Sequence, residues 1–162
     1  MSIFRRWLSK AAQAVATNMI EPVKSTTGVI DDCPYRQTML IVGRLEVYQI
    51  ELDLPSSIDG VIQITPVGAH PALWNNAKKL ESVEFNEKIG VFTSSRSLAY
   101  KVLSPDFMAW FMDLAIIPQL YILKTKCYIA FFGNDVPHDQ QLFIAEKILQ
   151  ALRHSGALVK TS

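Results

Sequence analysis

The sequence has few cysteines and almost no net charge. Its 162 residues contain only Cys33 and Cys127, which are too far apart for a C-x-x-C pair or a disulfide framework. Lys and Arg number 16 against 15 Asp and Glu, so the formal charge of +1 supplies no overall field for holding nucleic acid. A reducing, cytoplasmic setting and a partner other than nucleic acid are expected.

Motifs for phosphate or metal binding are missing as well. The 7 glycines are scattered and form neither G-x-x-x-x-G-K-[ST] nor G-x-G-x-x-G. The histidines, His70, His138 and His154, lack the H-x-x-x-H or H-E-x-x-H spacing of a zinc site. The sequence therefore predicts no metal and no cofactor, and it favours a non-enzymatic protein over an enzyme.

No apolar run is long enough for a transmembrane helix. The most apolar stretch, from Phe107 to Leu123, contains Asp113 and is interrupted by Pro118, whereas a membrane span needs about twenty apolar residues. The chain is nevertheless 49% hydrophobic, with a mean hydropathy of +0.17. This composition predicts one folded domain with some apolar surface for a partner or a membrane.

The body of the chain is predicted to be α+β, with an antiparallel sheet of about five to six strands packed against two helices. Ser104, followed by Pro105, predicts the start of one helix, which runs to about Ile116. The second runs from about Asp139 to His154 and ends before a glycine. The predicted strands cover residues 35–42, 45–54, 61–65, 90–93, 120–123 and 127–132.

The amino-terminal segment has the pattern of a separate amphipathic helix. The predicted organisation is this helix over residues 1–23, a polar linker over 24–34 and a single domain over 35–162. At 100° per residue, the helix collects apolar side chains on one arc and cationic and polar ones opposite. On the apolar arc lie Phe4, Trp7, Leu8, Ala11, Val15 and Met19.

Three interpretations of this helix stay open. It packs on its own domain, it lies flat on an anionic membrane, or it is an export signal. The hypothesis favoured for function is a non-enzymatic module that docks on a protein partner or on the inner membrane surface, as a peripheral protein. The residues predicted to make this contact are Ile3, Phe4, Arg5, Arg6, Trp7, Leu8 and Lys10.

An alternative hypothesis places a site in the loop after the third predicted strand. Residues 67–76 have no sustained periodicity and contain His70 and Trp74. An imidazole beside an aromatic ring is compatible with a small hydrolase or a ligand-binding protein. The sequence alone decides neither the partner nor the oligomeric state.

The segment from Leu80 to Phe132 resembles a bacterial family of uncharacterised proteins that is known only as a domain of unknown function. The shared pattern is Phe-x-x-x-x-x-Val, then Leu-[Ser/Thr]-Pro-x-Phe-Met, then Tyr-Ile-Ala. The matching residues are Phe85, Val91, Ala99, Leu103, Pro105, Met108 and Tyr128-Ile129-Ala130.

The resemblance implies a membrane-associated protein, because members of that family typically carry two hydrophobic segments before a cytoplasmic domain. It implies no activity and no catalytic residues. Here the cationic amphipathic segment stands where the spanning segments are expected. The resemblance and the terminal pattern thus favour the same hypothesis of surface attachment.

Overall fold

The computed structural model describes residues 22–42, 44–66, 80, 82–133 and 135–159. This part of the chain forms seven strands and four helices. In chain order they are β1 (Pro22–Ile30), β2 (Cys33–Val42), β3 (Leu45–Asp53), β4 (Val61–Pro66), α1 (Val83–Lys88), β5 (Ile89–Thr93), α2 (Arg96–Val102), α3 (Pro105–Met112), β6 (Gln119–Leu123), β7 (Lys126–Phe132) and α4 (His138–His154).

The strands form one antiparallel sheet in the order β1-β2-β3-β7-β6-β4-β5. A two-residue turn, Asp31-Asp32, joins β1 to β2, and both residues have positive φ, at 50° and 65°. Aspartate tolerates this left-handed conformation better than most residues, and two such residues match the twist of a hairpin. The first three strands therefore lie side by side at one edge of the sheet.

One hydrophobic core joins one face of the sheet to the buried sides of the helices. Ile50, Ile62 and Ile129 come from three different strands and are fully buried in it. From the helices, Phe111 and Leu149 reach the same cluster. Because strand side chains alternate between faces, this packing places every second residue of the strands beneath the helices.

The predicted fold of five to six strands packed against two helices is wrong, since the described residues form seven strands and four helices. The additional helices, α1 and α2, have 6 and 7 residues, too few turns for a readable periodicity. Each begins at a serine whose hydroxyl accepts a backbone N–H, Ser82 from Phe85 and Ser95 from Leu98.

The additional strand, β1, occupies the segment that the sequence predicts to be a linker over residues 24–34. Each residue from Lys24 to Ile30 pairs with a residue of β2. An edge strand needs no strong apolar pattern, because backbone pairing holds it and one side meets solvent. Gly28, typical of linkers, lets the Tyr35 ring lie against β1, since a Cβ there would be 2.7 Å from the ring.

The capping signals at the start of α3 and at the end of α4 are confirmed. The Ser104 hydroxyl accepts the N–H of Phe107, and Pro105 is the first helical residue of α3. This helix ends at Met112, a turn earlier than predicted. At the end of α4, Gly156 has a φ of 72°, the left-handed conformation that follows many helices. Of the amino-terminal helix predicted over residues 1–23, residues 1–21 lie outside the described residues, and Pro22 and Val23 belong to β1.

Helix α4 is attached to the first hairpin at both of its ends. At its start, Gln141 forms a hydrogen bond with Gln37 of β2. At its end, the Arg153 guanidinium donates to the backbone oxygen of Asp31 in the β1–β2 turn and contacts Cys33 Sγ at 3.4 Å. These contacts sit about 18 Å apart along the helix axis, given a rise of about 1.5 Å per residue.

We expect Arg153→Ala to lower the free energy of unfolding by about 1 to 2 kcal/mol, because a charge-assisted hydrogen bond to the turn is lost. Urea denaturation followed by circular dichroism measures this change. The matched variant Arg153→Lys keeps the charge but presents a single nitrogen, so its loss should be smaller. A loss below about 0.5 kcal/mol for Arg153→Ala, the size of an ordinary surface substitution, would contradict the prediction.

Candidate functional site

The residues predicted from the sequence to make contacts lie outside the described residues, so their roles stay predictions. They are Ile3, Phe4, Arg5, Arg6, Trp7, Leu8, Lys10, His70 and Trp74.

Three cavities lined by described residues have similar volumes of about 460, 480 and 430 Å³. All three lie within the range of about 300–1,000 Å³ that is usual for ligand sites. Volume therefore does not identify which cavity is functional, so the side chains in their walls have to be compared.

The first cavity, here called the hairpin cavity, lies between the first three strands and the start of α4. Its sheet wall consists of inward-facing residues in register: Thr26 pairs with Gln37, Lys24 with Met39, and Met39 with Tyr48. Strand alternation explains why these side chains share one face. The wall combines a cation, an amide and a hydroxyl with apolar surface.

The helix wall of the hairpin cavity comes from Val136, Pro137, His138 and Gln141. Pro137 is the residue that precedes the helix, and its side chain offers no acceptor for the first turn. His138 is exposed, whereas Gln141 is 1% exposed. A polar side chain this deeply buried must find hydrogen-bond partners inside the protein.

A chain of hydrogen bonds links the two walls. Gln141 Nε2 donates to the backbone oxygen of Val136 at 2.9 Å, and Gln141 Oε1 accepts from Gln37 Nε2 at 2.6 Å. A carbonyl oxygen can only accept, so Gln141 must turn its nitrogen toward the Val136 oxygen. Its own oxygen then faces Gln37, which must offer a nitrogen in return. Gln37 must therefore donate through its nitrogen and present its oxygen elsewhere.

Gln37 Oε1 is a buried acceptor with no hydrogen-bond partner among the described residues. Gln37 is 4% exposed and is one of the residues that line the hairpin cavity, although this oxygen itself has almost no accessible surface. Leaving a buried acceptor unsatisfied costs about 1–3 kcal/mol. Among the described residues that line the three cavities, Gln37 alone carries such an atom, and this distinguishes the hairpin cavity from the other two.

Tyr48, also on the wall, has its hydroxyl engaged. It donates to Glu46 Oε2 at 3.1 Å. Burial of the phenol, together with the hydrogen bond to Glu46, raises the pKa of Tyr48 above its ordinary value. The ring therefore stays neutral at physiological pH and contributes mainly apolar surface to the cavity.

The third cavity contains a charged cluster whose groups satisfy one another. Lys126 Nζ donates to Glu51 Oε1 at 2.7 Å and also to Asp53. Hydrogen bonds to Asp53 and then Glu51 raise the pKa of Lys126 above its ordinary value, against the smaller opposing effect of burial. Such a cluster pairs strands β3 and β7 at the surface, and each of its three charged groups has a partner within it.

The two cysteines do not form a disulfide with each other, and Cys127 is not a reactive thiol. Both are buried free thiols, and burial raises the pKa of Cys127 to about 12. A thiol with so high a pKa is not a nucleophile at neutral pH. Across the described residues, no group of three or more His, Cys, Asp or Glu side chains could hold a metal ion.

The sequence reasoning did not single out Gln37 or Gln141. The only signal for Gln37 is its position: it lies between Tyr35 and Met39 on the inward face of a strand, where an apolar residue is expected. That pattern becomes informative once the face is known to be covered by a helix. The partner of Gln37 is 104 residues away in the chain, so no local pattern pairs the two.

We expect Gln141→Met to lower the free energy of unfolding more than Gln37→Met does. The first leaves two buried groups unpaired, Gln37 Nε2 and the Val136 oxygen, and should cost about 2 kcal/mol or more. The second leaves only Gln141 Oε1 unpaired and removes the unsatisfied oxygen, so about 1 kcal/mol or less is expected. Urea denaturation of both variants measures the difference, and equal or reversed costs would show that the amides are not arranged in this way.

No model of a known protein family matches this chain, and no curated protein is a detectable relative. The helices of the described residues include none that is both long and apolar enough to cross a membrane.

The fold is similar to that in the crystal structure of the mycobacterial trehalose monomycolate transport factor A, TtfA. The superposition has a TM-score of 0.52, covers 95% of this chain and 97% of that chain, and relates sequences that are 10% identical. At this level of identity the likeness concerns the fold. The seven-stranded sheet with its helices is thus an arrangement that also occurs in a known protein.

Proposed function

We propose that this protein is a non-catalytic binding module that holds a small amphiphilic molecule in the hairpin cavity. The observation that carries the proposal is the mixed wall of this cavity, in which apolar side chains lie beside Lys24, Thr26 and Gln37. The unpaired oxygen of Gln37 has almost no accessible surface, so a bound hydroxyl or N–H group would reach it only after the side chain moved.

The composition of the cavity wall supports an amphiphile over a fully polar ligand. Met39, the Tyr48 ring and Val136 supply apolar surface, whereas Gln37 and Lys24 supply polar groups. Binding sites for small molecules typically combine mostly apolar walls with a few placed polar groups. A ligand with a short apolar chain and a polar end would satisfy both parts.

The groups around the cavity favour binding over catalysis. His138 has an acid beside it in sequence, Asp139, but Asp139 Oδ1 accepts the backbone N–H of Gln140 at 3.0 Å. The carboxylate therefore serves the first turn of α4 instead of orienting the imidazole. Neither cysteine is among the residues that line the cavity.

The fold likeness adds a reason to test amphiphiles. The similar structure is named as a trehalose monomycolate transport factor. Handling of a lipid by the present chain is a proposal that the cavity chemistry supports independently of that name.

A titration with 1-octanol, an apolar chain with one hydroxyl, tests the proposal. We expect backbone NMR signals from the cavity walls to shift with saturable binding. Thr26→Trp places an indole in the cavity and should weaken binding at least tenfold, because the ligand and the ring compete for the same space.

Thr27→Trp is the matched control, since it introduces the same ring at the next position of the same edge strand. Thr27 is exposed and lies on the opposite face of the sheet, whereas Thr26 is half-buried and faces the cavity. Binding should be unchanged in this variant. No saturable shift in the unmodified protein, or equal effects of the two variants, would contradict the proposal.

We also propose, from the sequence, that the amino-terminal segment attaches the protein to the cytoplasmic face of a membrane. Support comes from the arrangement of Trp7 and Leu8 opposite cationic residues over the first twenty positions, a pattern that suits the interfacial zone of an anionic bilayer. Attachment by one such helix is weak and reversible. It would bring the cavity close to membrane amphiphiles.

Co-sedimentation with liposomes tests this attachment. We expect the full chain to sediment with vesicles that contain anionic lipid and much less with zwitterionic vesicles. A chain that begins at Glu21 should remain in solution, and it retains all of β1, which starts at Pro22. Trp7→Ala with Leu8→Ala in the full chain should reduce sedimentation while leaving the cationic residues in place. Equal sedimentation of the full and shortened chains would exclude the idea.

A further inference from the structure

We propose that the amino-terminal segment, residues 1–20, packs through its apolar arc on the face of the sheet that the four described helices leave uncovered. This inference goes beyond the proposed binding function, because it assigns a partner within the same chain to a second apolar surface. Attachment to a membrane would then require the segment to leave this surface.

The second surface, here called the outer face, lies on the side of the sheet away from the helices. Tyr121 and Ala130 form a cluster of buried residues that is separate from the main core, and no described helix contributes to it. Tyr121 pairs with Tyr128 of β7, and the two rings stack with centroids 6.2 Å apart. The apolar residues packed around the cluster all belong to β4, β6 and β7: Val61, Leu123, Tyr128 and Phe132.

The outer face is buried, although one side of an antiparallel sheet commonly meets water. Tyr121 is 3% exposed and Val47 is 1% exposed. Val47 belongs to this face because it pairs with Phe132, and buried Leu40 belongs to it because it pairs with Val47. Side chains with so little exposed surface are packed on every side, so this face needs a covering segment.

The amino-terminal segment has the length and the attachment point that this cover requires. It joins β1 at Pro22, which pairs with Leu40, so the segment meets the sheet beside the buried residues Leu40 and Val47. Twenty helical residues extend about 30 Å. The five strands from β2 to β4 span about 19 Å. Residues 1–20 can therefore reach across the outer face from its β1 edge.

Burial along β2 follows the distance from this attachment point. On the outer face the strand changes from buried Leu40 through half-buried Thr38 to exposed Arg36, which lies toward the β1–β2 turn. A cover that enters beside Pro22 explains this order, because it protects the near end of the strand and leaves the far end in water.

The two arcs of the segment also suit this placement. Trp7 and Leu8 lie on the apolar arc, whereas Arg6 and Lys10 lie opposite. Packing of the apolar arc on the sheet would bury the large side chains and keep the cations in water, as in most amphipathic helices of globular proteins. The same arc cannot contact the sheet and a bilayer at once, so the two contacts compete.

Photo-cross-linking in the full chain tests the inference. Trp7→p-benzoylphenylalanine places a photoreactive ring on the apolar arc, and mass spectrometry of the digested protein shows where the ring attaches. We expect attachment within one molecule, mainly to β2, β3, β4, β6 and β7. Gln13→p-benzoylphenylalanine places the same group on the polar arc and is the matched control. Its attachment to these strands should be roughly fivefold weaker.

A second pair of variants checks that the outer face itself is recognised. Tyr128→Lys places a charge on a half-buried position of this face, so it should lower the attachment of the ring at residue 7 by roughly threefold or more. Tyr100→Lys makes the same replacement at an exposed position of α2 and should leave the attachment unchanged. Circular dichroism checks that each variant is folded.

Vesicles test the competition with a membrane. In the full chain with the ring at residue 7, anionic vesicles should remove at least about half of the attachment to the strands, and zwitterionic vesicles should remove little. Attachment that persists in the vesicle-bound chain would overturn the requirement for release.

Three results would overturn the packing itself: attachment mainly to the helices or to residues 67–79, attachment only between molecules, or equal yields from the two arcs. These results do not bear on the binding of 1-octanol in the hairpin cavity, which the Thr26→Trp variant tests separately. A chain that cross-links as expected but does not sediment with anionic vesicles would contradict only the proposed membrane attachment.

Discussion

The hydrogen bond between Gln37 and Gln141 is the contact on which the candidate site depends. It joins the second strand to the first turn of the last helix, across 104 residues of chain, in surroundings where neither amide reaches water. A buried amide pair contributes little net stability when satisfied, but it is costly when one partner is lost. The pair therefore restricts where the start of α4 can lie relative to the first hairpin, and the hairpin cavity is the space that this placement leaves.

The end of the same helix is held by a different kind of contact. Arg153 reaches the tight turn of the first hairpin, where Asp31 and Asp32 adopt left-handed backbone conformations. Between the two contacts, Ile148 and Leu149 pack in the common core. The hydrophobic face supplies most of the attraction, because burial of apolar surface dominates folding energetics, and the polar contacts at the two ends set the register. A ligand in the cavity would thus bind against two elements that the rest of the fold holds rigidly.

Much of the regular structure is readable from local patterns. Six strand segments, the serine cap at Ser104 and the glycine after α4 all depend on residues close in sequence, and they appear near their predicted positions. The short helices α1 and α2 were not predictable, because a helix of two turns owes its stability to tertiary packing and its capping serine looks like any polar turn. The sequence did not predict strand β1 for a related reason. Its polar residues pair with β2 through backbone hydrogen bonds, and these place little constraint on the type of side chain.

The sequence by itself determined the type of most elements, the wide separation of the two cysteines and the absence of familiar phosphate and metal motifs. These properties depend on composition and on spacing within a few residues. Only the tertiary structure decided that Gln37 faces inward, that Gln141 is its partner and that its oxygen remains free. This arrangement arises because the sheet brings distant segments together. The Val136 carbonyl then orients the amide of Gln141, which in turn orients the amide of Gln37. Neither effect can be predicted from residues that are close in sequence.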